Sequence, residues 1–296
     1  MDHGVVIRRH ELTDREWELL APLIPRAVRG RPRAEDRQII NGMVYKIRTG
    51  ISWRDLPERY GSWQTVYTRF RRYAIDGVFT RALRQIQTRA DAAGDIDWLV
   101  QIDSTIVRAH QQAAATGRKG GKHRQDEPDD HALGRSRGGL TTKIHLAADG
   151  QGRPLALMLT AGQRHDSLMA QALLERIRVP RTGRGRPRST PDHVVADKAY
   201  SSRAFRAYLR RRGIIATIPE KDDQKKHRRN RGSHGGRPPG FDREIYRRRN
   251  TVERCFNHLM GFRGIATRYD KTATSYEAAV SLASFLLWAR SFEDGT

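Results

Sequence analysis

The chain has 296 residues, enough for about two domains, and Lys plus Arg outnumber Asp plus Glu by 56 to 33, a formal net charge of +23. That excess disfavours an ordinary enzyme of small substrates and favours a polyanionic partner, of which nucleic acid is the commonest. A single cysteine, Cys255, excludes an intramolecular disulfide, residues 1–10 lack an apolar signal core, and the apolar run near 278–289 is too short to span a bilayer, so the expectation is a cytoplasmic, nucleoid-associated protein with no membrane partner.

In chain order, Leu12-Thr13-Asp14-Arg15-Glu16-Trp17 carries a capping box, with Thr13 as N-cap and Glu16 three residues on. Trp17, Leu20, Ala21 and Ile24 form a helical stripe that ends at Pro25. A basic loop at 29–33 precedes a second helix from about Ala34, carrying Ile39, Ile40, Met43, Val44 and Ile47, with Gly50 as its C-cap. A further helix starts after Ser62. Trp63, Val66, Tyr67, Phe70 and Ala74 share one side of it, and Gln64, Thr65, Thr68, Arg71 and Arg72 lie opposite. An apolar back with amides, hydroxyls and guanidiniums on the other face is how a DNA recognition helix is built. The same pattern also suits a plain amphipathic helix with solvated charges.

After Gly94 the pattern turns to strands: Trp98–Asp103, Leu140–Ala147 and Leu155–Thr160, then a helix at 168–178, a strand at 193–196, a helix at 203–212 and a strand at 214–218. Three meandering strands followed by alternating helices and strands predict an α/β layered domain with a mixed sheet, behind a small all-α domain, with the boundary between residues 94 and 95. The stretches near 111–138 and 221–240 are basic and polar, unable to bury a core, and read as mobile insertions or as arms for DNA.

Asp103 and Asp197 each end an apolar strand, and in an open sheet strand ends meet along one edge. Two close carboxylates repel unless a proton or a divalent cation intervenes, and Mg²⁺ takes oxygen ligands. A third carboxylate, Glu253, sits on a helix read across 245–256, with Tyr246, Arg249 and Met260 on its side and Ile245, Val252, Phe256 and Leu259 beside them. Arg249 stands one turn before Glu253, so from the pattern alone a surface ion pair is the favoured reading of that residue.

The segments LTDREWELLAPLIP, SWRDLPERYGSWQTVYTRFRRY, QIDSTIVRAH, GGLTTKIHLAADGQGRPLALMLTAGQRHDS, VVADKAYSS and YRRRNTVERCFNHLMGFRGIATRYDK occur in order and span most of residues 11–290. Through them the chain resembles bacterial insertion-sequence transposases of the DDE class, in the group named insertion sequence five. The resemblance implies a ribonuclease-H-like catalytic domain behind a helix-turn-helix-like DNA-binding domain. It implies that Asp103, Asp197 and Glu253 are catalytic and hold two Mg²⁺ ions, with Mn²⁺ as a substitute. It implies an enzyme that cleaves element ends and joins the 3′-hydroxyl to target DNA, as a homodimer on double-stranded DNA. Tyr246, Arg249 and Glu253 match the family's Tyr-x-x-Arg-x-x-x-Glu signature. Lys198, Tyr200, Tyr246, Arg249 and Asn250 are then expected at DNA, with His165 as a further candidate. Two positions depart from the pattern: Ala199 replaces a Gly, and Met260 stands where a Lys or Arg is usual, with Arg263 a candidate substitute. A nuclease of the same fold that does not join ends, a decayed DNA-binding regulator and a nucleoid protein fit many of the same features.

Overall fold

The computed structural model describes residues 8–25, 35–113, 131–136 and 138–292. The basic loop at 29–33 and most of the basic stretch at 111–138 lie outside the described residues.

Helix α1 (Asp14–Leu20) opens with the expected capping box: Thr13 Oγ1 accepts the Glu16 N–H at 3.1 Å, and Glu16 returns a carboxylate oxygen to the Thr13 N–H at 3.0 Å. Helix α2 (Asp36–Thr49) buries Ile39, Ile40, Met43, Val44 and Ile47, and stops where Gly50 adopts a φ of 74°, a left-handed conformation that favours glycine. Residues 50–62 turn the chain into α3 (Trp63–Ile75), and α4 (Val78–Ala92) follows after Gly77.

The sheet begins with β1 (Leu99–Ala109). Next come β2 (Gly134–Ser136), β3 (Gly139–Ala148), β4 (Pro154–Ala161), α5 (Asp166–Glu175), β5 (His193–Val195), α6 (Arg203–Arg211) and β6 (Ile215–Thr217). β3 runs antiparallel to β1 and to β4, whereas β5 and β6 run parallel to β1 on its other side. The result is a mixed sheet with β1 at its centre, flanked by helices. Side chains alternate between the two faces. A helix near the end of the chain, at 250–260, covers the face of Gln101 and Asp103, and α5 covers the face of Lys143, which donates to Asp166 at 2.8 Å.

The basic stretch at 221–240, read as an insertion with no core, contains a helix, α7 (Asp222–Asn230), in which no residue is buried. The helix expected across 245–256 is two helices, α8 (Arg243–Arg247) and α9 (Asn250–Met260), with a turn at Arg248 and Arg249. Arg249 therefore occupies the N-cap position of α9 and not its body. The short α10 (Arg263–Ala266) and β7 (Thr267–Arg268) lead to α11 (Ala273–Ser291).

Helix α11 is apolar nearly all round and is enclosed accordingly. It packs on α1–α4, on α9 and on β4. Trp288 Nε1 donates to the Pro154 carbonyl at 2.6 Å, and Gln87 Nε2 on α4 donates to the same carbonyl at 2.9 Å. One continuous apolar cluster thereby runs from Leu12 through the sheet to Ala289. Among the described residues, no helix is long and apolar enough to cross a membrane.

His145 is buried in this frame, with Nε2 hydrogen-bonded to Thr160 Oγ1 at 2.9 Å. Burial lowers its pKa from 6.5 to about 4, so the folded protein holds it neutral. The unfolded chain takes up the proton first, and stability is therefore full above pH 6.5 and lost as the pH falls towards about 4. The loss from this one group should approach about 3 kcal/mol, at about 1.36 kcal/mol per pKa unit. Urea unfolding of the wild type and of His145→Gln across that range checks this, and the variant should show the flatter pH dependence.

Candidate active site

Asp103 lies in the middle of β1 and not at its end, contrary to the expectation from sequence. The strand continues because β3 pairs with it as far as Arg108, and because β7 takes up its other edge at Arg108 and Ala109. What stops early is the neighbour: β5 pairs only with Leu99, Val100 and Gln101. Beyond Gln101 that edge of β1 lies open, among the described residues, until β7 begins. Gln101 pairs with Val195 in parallel register, so Asp103 and Asp197, each two residues further on, leave the pairing level with one another. Asp197 then caps the short turn at Lys198–Tyr200, its Oδ1 accepting the Ala199 N–H at 2.8 Å.

Glu253 arrives from the far end of the sequence through a specific anchor. Gln101 is fully buried, and its Oε1 accepts the Val252 N–H at 2.9 Å. That bond seats the first turn of α9 on β1, two residues before Asp103, and brings Glu253 beside the open edge. Val252, Phe256 and Leu259 bury the other side of α9 as the sequence pattern requires. Met260 is half-buried and packs against the same core.

Arg249 ties the carboxylates together. Its guanidinium donates to Asp103 Oδ2 at 3.2 Å and to Glu253 Oε1 at 2.5 Å. Burial pushes the Asp103 carboxyl above its ordinary range, and the charges of Asp197 and Glu253 push the same way, against the pull of the Ser104 N–H and of Arg249. Among the described residues, no three His, Cys, Asp or Glu side chains are grouped closely enough to hold a metal ion. The donor set is nevertheless all carboxylate oxygen, as Mg²⁺ requires, and Arg249 supplies the positive charge that these groups call for. In this structure the positive charge beside Asp103 and Glu253 comes from Arg249.

Several supporting residues were not singled out from the sequence. Gln101 had a signal, an amide inside the apolar run Leu99-Val100-Gln101-Ile102. Asp166 had none. Burial alone would raise its carboxyl, but hydrogen bonds from Lys143 and Ser104 hold it below the ordinary range. Tyr200, expected at DNA, is only 1% exposed. Its ring lies beneath the site, with its buried hydroxyl close to Ser104. The turn that Asp197 caps directs Tyr200 inward and leaves Lys198 exposed.

The other sequence candidates distribute as follows. Asn250 and His165 are exposed, and Tyr246 is half-buried with its ring 5.1 Å from that of Phe241. Arg263 lies beside Gly50 at the end of α2, so the structure places it against the N-terminal helices and not among the carboxylates. On α3, Gln64, Thr65, Thr68 and Arg72 share an exposed groove. Arg71 does not belong to that face. It is buried, and its Nη1 donates to Thr272 Oγ1 at 2.9 Å and to Ser275 Oγ at 3.2 Å at the start of α11.

Removing the cation that joins Asp103 to Glu253 leaves like charges facing each other. Arg249→Gln should therefore cost about 1–2 kcal/mol at neutral pH without divalent cations, discounted for the exposure of Glu253. The loss should shrink in acid, where the carboxylates are protonated. Denaturant unfolding in the presence of a chelator at both pH values measures it.

Residues 12–83 match the family model described as "Putative transposase of IS4/5 family", and residues 96–288 match the one described as "Transposase DDE domain". The chain is 40% identical over 114 residues to "Uncharacterized protein y4sN" of Sinorhizobium fredii, covering 38% of this chain and 87% of that protein. It is 33% identical over 151 residues to "Putative transposase for insertion sequence element IS6501" of Brucella ovis, covering 51% of this chain and all of that protein (100%). A solved structure, the Mos1 transposase paired-end complex with left transposon end, aligns over 90% of this chain and 82% of its own, at 13% identity and a TM-score of 0.26. With the DDE domain spanning residues 96–288, and with Asp103, Asp197 and Glu253 all inside it, the chain belongs to the DDE transposase family.

Proposed function

We propose that this transposase cuts the ends of an insertion sequence and joins the freed 3′-hydroxyl to target DNA, using Asp103, Asp197 and Glu253 as its catalytic carboxylates. The observation that carries the reading is the open edge of β1, where Asp103 and Asp197 are in register and Gln101 draws Glu253 alongside. No fold requirement demands three carboxylates there, and their mutual repulsion has to be offset.

These carboxylates would hold two Mg²⁺ or Mn²⁺ ions. When bound, such ions lower the pKa of a nucleophilic water and offset the charge that builds on phosphate and leaving oxygens. The chain's own contribution is positional. Asp103 and Glu253 are presented by rigid elements, and Arg249, released from Asp103, becomes available to a DNA phosphate. Lys198 and Asn250, both exposed beside the site, extend that cationic and polar rim. Attack of water on the phosphorus breaks the P–O3′ bond and leaves a 3′-hydroxyl and a 5′-phosphate. Attack of that hydroxyl on a target phosphodiester forms the new P–O bond and releases a target 3′-hydroxyl. The two reactions share one geometry, so one site serves both.

Residues 1–94 would act as the unit that recognises double-stranded DNA at the terminal inverted repeats, with α3 as the reading helix, and residues 95–296 as the catalytic unit. Two ends must be held together, which argues for a homodimer on DNA.

Asp103→Asn, Asp197→Asn and Glu253→Gln should each abolish Mg²⁺-dependent cleavage of the element's ends and leave end binding within about threefold of wild type. Cleavage that persists in Asp103→Asn overturns the assignment. Cut ends without joined product in the wild type identify a nuclease instead. On α3, Arg72→Ala should weaken binding across sequences and reduce the salt dependence by about one counterion, as expected for a phosphate contact. Arg71→Ala should instead lower the melting temperature, because its bonds are internal.

A further inference from the structure

A second feature stands well away from the carboxylates. Seven residues beyond Asp103, roughly 23 Å along the strand at about 3.3 Å per residue, His110 opens a groove between the catalytic sheet and the N-terminal helices. Its volume is about 990 Å³, which suits one or two nucleotides.

The walls of the groove are aromatic. Trp53, Trp63 and Tyr67 line the N-terminal side, and Tyr269 lines the other, its ring 5.1 Å from that of His110 and tilted to it by 35°. Tyr67 is 38% exposed, unusually open for a tyrosine on the apolar flank of a helix. Between the walls sits Lys46. Its side chain is 3% exposed, and its ammonium lies 5.5 Å from the centre of the Trp53 ring and 5.9 Å from that of Tyr269. A lysine this enclosed normally has a carboxylate partner. Among the described residues Lys46 forms no ion pair, and it lines the groove. Arg54 and Lys271 add charge to the lining, in which Asp270 is the one carboxylate.

Aromatic faces spaced by cations are how proteins hold unpaired nucleic acid. Bases stack on the rings, and the ammonium groups take the phosphates. A paired duplex cannot use such a groove, since its bases already stack on one another. We propose that this groove binds an unpaired nucleotide of the DNA substrate, with the base stacked against Tyr67 and its neighbouring rings and a phosphate on Lys46. The inference rests on the reading of the chain as a DNA-acting enzyme and assigns a second DNA contact outside the carboxylate site. Because α3 carries Tyr67 into the groove and Gln64, Thr68 and Arg72 on its exposed face, a duplex on α3 would bring a frayed or single-stranded end within reach.

The test compares the affinity of the full chain for a blunt duplex with its affinity for the same duplex bearing a short oligothymidine tail, by fluorescence anisotropy without divalent cations. The tail should improve binding by roughly fivefold or more, the worth of one stacked base, and should quench tryptophan fluorescence. Tyr67→Ala, at an exposed position, should remove most of that gain, and Lys46→Met should remove it and lower its salt dependence by about one counterion. Equal affinity for blunt and tailed duplexes would overturn the proposal while leaving the DNA reading intact. A gain that survives in both variants would overturn it too, and Tyr67→Ala decides alone if Lys46→Met does not fold. Failure to bind either duplex would remove the DNA reading and this inference with it.

Discussion

Three residues of parallel pairing set the geometry of the candidate site. β5 bonds to Leu99, Val100 and Gln101 and then departs, and β7 does not reach the same edge until Arg108. The intervening stretch of β1 is rigid, because β3 holds its other side, yet its outer edge is free to face a ligand. Had β5 continued, Asp103 and Asp197 would be adjacent members of a ladder, with less of the edge open to solvent. The early end of β5 in turn depends on Asp197, whose carboxylate caps the turn that carries the chain away.

The third carboxylate depends on a different kind of constraint. Helix α9 has its own apolar stripe, which fixes the side it buries but not its position along the sheet. Gln101 removes that freedom by hydrogen-bonding the Val252 N–H. A buried amide bound to a helix's first turn acts as a register pin, since its displacement would leave both groups unsatisfied. The break at Arg248 and Arg249 then frees the Arg249 side chain to reach Asp103 as well as Glu253, a bridge that an uninterrupted helix would not predict.

The N-terminal helices and the sheet share one apolar cluster, joined by α11 from the end of the chain. The N-terminal helices have a defined orientation relative to the carboxylates, because α3 is tied to α11 through Arg71, Thr272 and Ser275. The same junction creates the aromatic groove, whose two walls come from parts of the chain more than two hundred residues apart (Trp53 and Tyr269).

The sequence by itself determined the capping box at Thr13, the apolar stripes of α2 and α9, the antiparallel strands β3 and β4, the strand that delivers Asp197, and the basic excess. Each of these is a local pattern whose period or composition follows from chain geometry. Its resemblance to DDE transposases singled out Asp103, Asp197 and Glu253 as the expected catalytic carboxylates. Tertiary structure alone decided that Asp103 lies mid-strand, that Tyr200 and Arg71 turn inward, that Arg249 caps a new helix, and that Arg263 belongs to the N-terminal helices. The physical reason is common to all four. Where a strand ends, which side of a turn is buried and what a long side chain reaches depend on neighbours distant in sequence, and no local pattern encodes them. Lys46 shows the same limit: on α2 it reads as one more surface charge, and only the arrival of Tyr269 opposite Trp53 encloses it.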